Sequence, residues 1–177
     1  MKMRHKIDTE KQMDTSSIMK YFTRHWYGDI PEEESIRIRD SYWEYIENIS
    51  EKLPFAVRIL AKNINLHDAI MQQFSYDITK KNVYLSCHGG DLQVGYFVLE
   101  CAYMKVDHCQ PDDFFIGKQI LSDEIELLEL RSFCQRFLFT DYSETEIVFK
   151  EFSLSITEST PEKYLEFARK SRKLRKR

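Results

Sequence analysis

Hydrophobic positions change period twice along this chain. From Pro31 the apolar residues recur at helical spacing, through Ile36, Tyr42 or Trp43, Ile46 and Ile49. Pro31 suits a first helical turn, and Glu32, Glu33 and Glu34 favour the positive end of a helix dipole. Asp29 is the candidate cap, and the helix should stop near Lys52, because Leu53 precedes Pro54. A second, shorter helix is expected over Phe55 to Asn63, with Phe55, Ile59 and Leu60 facing inward. After Asn65 the period becomes two. Ile70, Phe74 and Tyr76 share one face, and Val83, Leu85 and Cys87 share the next. Gly89-Gly90-Asp91 reads as a hairpin turn. Leu92 to Val106 is the longest strand, apolar on both faces at its centre and therefore expected inside a sheet. His108 to Gly117 reads as a polar loop, and Asp123 to Leu130 fits helix and strand equally. Phe133 to Thr140 is a strand, Asp141 to Glu144 a turn, and Glu146 to Ile156 the last strand, with Val148, Phe152, Leu154 and Ile156 on one face. Thr160 and Pro161 then cap a final helix, docked by Tyr164, Phe167 and Ala168.

The order predicts an α+β fold: N-terminal helices packed on an antiparallel meander of five or six strands, and a short C-terminal helix. Residues 1–18 are polar without periodicity and read as a disordered lead; 19–160 form one domain; 161–177 form the C-terminal helix with its tail. The 177 residues include 42 % hydrophobic and 14 % aromatic side chains, enough for one packed core. Five glycines and four prolines exclude collagen-like and flexible low-complexity classes. No apolar run approaches the roughly 20 residues of a membrane-spanning helix.

Charge changes this picture at one end. The net charge is −3, but Arg169, Lys170, Arg172, Lys173, Arg175, Lys176 and Arg177 crowd the last nine residues. The rest carries 19 basic against 29 acidic residues, a net −10. The tail is a candidate anion-binding segment for nucleic acid, weak and salt-sensitive because no aromatic residues interleave beyond Phe167. Cys87, Cys101, Cys109 and Cys134 show no zinc-finger or redox spacing. Without an apolar segment behind the basic N-terminal residues, the reading is a cytoplasmic protein with free thiols.

Candidate chemistry is sparse. His67-Asp68 is the most enzyme-like pair, a metal-ligand set or a base with its orienting acid. At a helix-to-strand junction it reads first as a structural motif, Asp68 bonding local backbone N–H groups. Cys87-His88 and His108-Cys109 do not suit zinc, because adjacent ligands point to opposite faces of a strand. Glu124 and Glu126 share a face if they lie on a strand, and read as the wet side of an edge. No nucleophile elbow and no phosphate-binding glycine loop occurs. The expectation is therefore no catalytic residue, no metal and no cofactor. Tyr21, Phe22, Trp26 and Tyr27, beside Arg24 and His25, form the candidate interaction cluster, since Trp, Tyr and Arg dominate interface energies.

Met19-Lys20-Tyr21-Phe22-Thr23 followed by Trp26-Tyr27, and Leu66-His67-Asp68-Ala69 before the strand-rich half, resemble the bacterial domain-of-unknown-function family 4085. Leu121 to Ile125, Phe137 to Asp141 and Glu146 to Lys150 are similar in pattern to its closing hairpin, so the resemblance covers 19–157. It carries over no catalytic residue. The strand-rich half is also similar to sheets of immunity-type proteins, which neutralise toxins by binding. The resemblance implies a non-catalytic protein-binding module, of immunity type, with an unidentified protein partner and no membrane. Nucleic-acid association through the basic tail is the alternative.

Overall fold

The computed structural model of the chain describes residues 17–28, 30–93, 95–109, 115–129 and 131–174, the last three as backbone. Helix α1 (Glu32–Ile49) runs through a 3-10 turn (Ser50–Lys52) toward Pro54, and α2 (Phe55–Asn63) follows. The glutamates occupy the first turn of α1; the expected cap, Asp29, lies outside the described residues. Tyr42, Ile46 and Ile49 form the buried stripe of α1, while Ile36 and Trp43 stay exposed. In α2 the buried stripe is Val57, Leu60 and Ala61. Phe55, expected inside, is 71 % exposed. It sits at the first helical position, off the stripe that the i, i+3, i+4 spacing from Val57 defines.

Eight strands follow among the described residues, all antiparallel, in two sheets of four where one meander was expected. The strands are β1 (Ile70–Asp77), β2 (Asn82–Asp91), β3 (Gly95–Met104), β4 (His108–Cys109), β5 (Ile120–Glu129), β6 (Ser132–Phe139), β7 (Glu144–Phe149) and β8 (Glu151–Ser159). Helix α3 (Pro161–Leu174) ends the described chain. The first sheet has the order β1-β2-β3-β8 and the second β4-β7-β6-β5. The α+β class, the helices at both ends and the central place of β3 agree with the pattern. The expected single strand from Glu146 to Ile156 instead switches sheets at Lys150. Its inward residues change parity there, from Ile147 and Phe149 to Phe152 and Leu154. Because side chains alternate along a strand, one chain direction cannot bury both sets against one neighbour.

Two other expectations shift. Gly89 and Gly90 lie inside the β2–β3 ladder, opposite Phe97 and Tyr96, so the turn comes after Asp91. Gly90 has φ +102, and a Cβ there would stand 2.0 Å from the Gly95 carbonyl oxygen, so close strand approach is what requires glycine. His108 and Cys109, expected in a loop, pair with Val148 and Ile147 at the edge of the second sheet.

The inner faces of the two sheets meet in an aromatic core. Tyr103 of β3 contacts Phe149 of β7 and Phe152 of β8, with ring centroids 5.1 and 5.0 Å apart. The Tyr103 hydroxyl donates to Gln135 of β6 at 2.6 Å. Beside β1, the segment before β5 is stitched on by Met71 N–H to the Lys118 carbonyl and Ile120 N–H to the Ala69 carbonyl, at 2.9 and 2.7 Å. Strand β5 is an edge strand, yet its outward N–H groups are not bare. Ile125 and Leu127 donate to the hydroxyls of Tyr42 and Tyr45 on α1, both at 2.9 Å. Among the described residues no helix is long and apolar enough to cross a membrane.

Phe149 is fully buried at the meeting of the sheets. Phe149→Ala should lower unfolding free energy by about 3–5 kcal/mol, and Phe55→Ala by less than ~0.5 kcal/mol, measured by urea denaturation.

Candidate functional site

The candidate interaction cluster lies on a strap, residues 17–28, that crosses the second sheet. Its backbone is held by carboxylates. Glu124 of β5 accepts the N–H groups of Lys20, Tyr21 and Phe22 at 2.9, 2.7 and 2.6 Å. Glu144 accepts from Ile18 N–H at 2.7 Å and from the Ser17 hydroxyl at 2.9 Å. Glu126 pairs with the Lys20 ammonium and with Arg136. The expectation that Glu124 lines a wet edge is corrected: it is 2 % exposed, because the strap covers that face of β5. Burial pushes the Glu124 carboxyl above its usual range, against the three backbone N–H groups that pull it down. At Glu126 burial also raises, but hydrogen bonds from Lys20 and Arg136 outweigh it and hold the carboxyl low. Of the stretch read as a disordered lead, residues 1–16 lie outside the described residues, while Ser17 and Ile18 are anchored as above.

A single helical turn ends the strap, closed by Trp26 N–H to the Thr23 carbonyl at 3.0 Å. It aims two rings across the molecule. Trp26 Nε1 donates to the Ser35 carbonyl of α1 at 3.2 Å, and the Tyr27 hydroxyl donates to the Leu121 carbonyl of β5 at 2.7 Å. Phe22, Trp26 and Tyr27 thereby form one wall of a cleft of about 560 Å³, completed by Tyr42 and Trp43 of α1, Leu60 of α2 and Leu121 of β5. That volume lies within the range of ligand sites. Tyr21, the fourth residue of the cluster, does not line it; its ring lies 5.2 Å from that of Tyr42 and stacks on Tyr45.

One acid faces the cleft from the sheet side. Asp123 of β5 keeps some access through the opening, but the surrounding protein is dense enough that desolvation raises its carboxyl to about 7. Its Oδ2 accepts from Gln135 Nε2 at 2.9 Å, and Gln135 is fixed in turn by the Tyr103 hydroxyl. A polar line therefore runs from the first sheet through the second to the cleft. Tyr27 is pushed up to about 12 by burial and by the charge of Asp123, against a hydrogen bond with Ser122.

His67 reaches the mouth of this cleft from the loop between α2 and β1. Its Nδ1 lies 3.2 Å from Asp68 Oδ2, and both side chains are about half exposed. Asp68 does not bond the local backbone N–H groups as expected. Asn65 does so, accepting from His67 N–H at 3.0 Å. Asp68 reaches outward instead: Oδ1 accepts from Gln119 at 2.8 Å, and its carbonyl accepts the Tyr164 hydroxyl of α3 at 3.0 Å. Cys87 and Cys109 lie in different sheets, and all four cysteines are buried and free. No group of three or more His, Cys, Asp or Glu among the described residues is placed to hold a metal ion. Of the basic tail, Arg169 is exposed and Lys170 pairs with Glu166 at 2.7 Å; the side chains of Arg172 and Lys173, and residues Arg175 to Arg177, lie outside the description.

Sequence reasoning missed Tyr42, Trp43 and Asp123 as cleft residues. The one available signal was Ser122-Asp123-Glu124, three polar residues in a row entering a strand, which puts polar groups on both faces where an edge strand needs only one.

An antiparallel α+β sandwich with an aromatic cleft beside a half-buried acid is thus the class of protein that fold and site define. The profile of the family described as "Protein of unknown function (DUF4085)" matches residues 5–147, and the chain belongs to that family. The match begins inside the segment read as a lead and ends before β8, so β8 and α3 lie beyond it. Searches of curated proteins and of solved structures return no match.

Two outcomes follow from these carboxyls. Glu124→Gln replaces one acceptor oxygen by an NH₂ that faces backbone donors, and should cost about 2–4 kcal/mol. The loosened strap should then be cut by trypsin at the exposed Arg24 well before the rest of the chain, as read by mass spectrometry. For Asp123, a raised carboxyl favours the folded state while protonated. Its contribution should be present below about pH 4 and fade as pH rises through about 7. Asp123→Asn should flatten the fall in Tm across that window, as followed by calorimetry.

Proposed function

We propose that the chain is a non-catalytic protein-binding module of the bacterial cytoplasm, and that the aromatic cleft is where it holds its partner. The observation that carries this reading is the convergence of Phe22, Trp26 and Tyr27 with Tyr42 and Trp43 around one open cavity. Aromatic side chains offer large contact area at low conformational cost, and they dominate the energetics of protein interfaces. Trp43 is 44 % exposed in a helix whose other face is packed, so it is available to a partner without disturbing the core. The net −10 of the chain before its tail favours a basic partner, which fits an immunity-type neutraliser of a basic toxin. The four free thiols fit a reducing compartment. Nucleic-acid association through the tail has less behind it, since no aromatic residues beyond Phe167 interleave with its charges to stack on bases.

The test is capture from a bacterial lysate treated with nuclease. The tagged chain should retain one protein at stoichiometric level. Trp43→Ala should lose it, and Ile156→Ala, a similarly exposed change on β8, should keep it. Loss of every partner on nuclease treatment moves the function to nucleic acid, and equal behaviour of the two variants removes the cleft from the interface.

A further inference from the structure

We propose that the cleft receives a basic side chain, arginine or lysine, of a protein partner, its stem between the aromatic walls and its cation on the Asp123 carboxylate. This rests on the cleft being the binding site and names the chemistry of what enters it.

The charges around the cleft are unequal in one respect. Arg39 pairs with Asp40 at 3.1 Å, Lys62 with Glu47 at 2.8 Å, and His67 lies against Asp68. Asp123, lining the same cavity, has no ion-pair partner among the described residues. One of its oxygens accepts from Gln135; the other has no hydrogen-bond donor among the described residues. The cations at the rim are therefore matched locally, and the acid is the charge left for a ligand.

Its position suits a cation for three further reasons. Asp123 is already desolvated in the free protein, so a bound cation meets a carboxyl whose burial cost the fold has absorbed. The faces of Trp and Tyr rings attract cations, Arg most often, and Trp26, Tyr27, Tyr42 and Trp43 line the approach. Gln135, held by Tyr103, keeps the carboxylate oriented before the ligand arrives. A purely apolar occupant would fill the walls and leave the acid unpaired.

Both tryptophans of the chain line this cleft, so tryptophan emission, excited beyond the tyrosine absorption band, reports on it. The probes are acetylated and amidated Gly-Arg-Gly and Gly-Lys-Gly, the citrulline counterpart of the first, which has the same shape without the charge, and n-hexylammonium. At least one of the two basic peptides should shift the emission saturably, and citrulline should bind about tenfold more weakly. Asp123→Asn, which keeps an acceptor for Gln135, should weaken the basic peptides by about tenfold while the emission of the free protein stays close to wild type and its Tm at neutral pH does not fall below wild type. Should that variant fail to fold, the citrulline comparison on the wild-type chain decides alone. Equal binding of arginine and citrulline overturns the cation and leaves the cleft standing as an apolar site. Tighter binding of hexylammonium than of either peptide overturns the protein source in favour of a small amine. Emission that changes with protein concentration alone, together with a dimer in sedimentation, makes a second copy of the chain the occupant and overturns the basic side chain. Silence from every probe overturns the proposal, and the capture experiment with Trp43→Ala then decides separately whether the cleft binds a partner at all.

Discussion

A single carboxylate organises the cleft side of this molecule. Glu124 is buried on β5, where a bare negative charge would be costly, and three consecutive peptide N–H groups of the strap compensate it. The compensation is mutual. Lys20, Tyr21 and Phe22 belong to no strand or helix, so their amides find in Glu124 the acceptor that regular structure does not supply. Once these three residues are fixed, the turn that follows has little freedom, and Trp26 and Tyr27 are delivered to α1 and β5 through two further hydrogen bonds. The cleft exists because a strap without secondary structure of its own is tied at defined points.

The sandwich beneath serves the same end. Its centre is aromatic, built where Tyr103, Phe149 and Phe152 interlock across the sheets. One polar line crosses that centre, from Tyr103 through Gln135 to Asp123. Tyr103 and Gln135 each find their partner within it, which ties the two sheets together, and Asp123 ends the line with one oxygen turned to the cleft. The hydroxyls of Tyr42 and Tyr45 place α1 on the open edge of β5, so the helix that covers the edge also carries Trp43 to the cleft. Edge protection and site construction use the same helix.

Much of the fold was legible as pattern. The bounds of α2, the buried stripe Tyr42, Ile46 and Ile49, the face Val83, Leu85 and Cys87, and the central place of β3 all follow from period and turn chemistry. These are local facts, and local spacing carries them. The failures share a different cause. Gly89-Gly90 looked like a turn because glycine permits one, whereas here it permits two strands to approach closely. Residues Glu146 to Ile156 looked like one strand because the parity change at Lys150 is a single residue in an otherwise apolar alternation. Phe55 looked buried because it stands four residues before Ile59 on one helical face, although the observed stripe Val57, Leu60 and Ala61 excludes it.

For the site, the cluster Phe22, Trp26 and Tyr27 was visible as composition, and so was the tail. The residues opposite were not. Tyr42, Trp43 and Asp123 are distant in the chain and carry no motif. By itself, then, the sequence determined the helices α1 and α2 and the strands β1 to β3 and β6 in outline, the α+β class, the family, and the presence of an aromatic cluster near the strap. Those properties depend on neighbours within one or two turns. Tertiary structure alone decided that the strands divide into two sheets, that Glu124 is a buried anchor rather than a wet edge, and that Asp123 faces an aromatic cleft without an ion-pair partner among the described residues. Such outcomes depend on which segments meet across a hundred residues. The environment of a carboxyl is set by the atoms packed around it, not by those beside it in the chain.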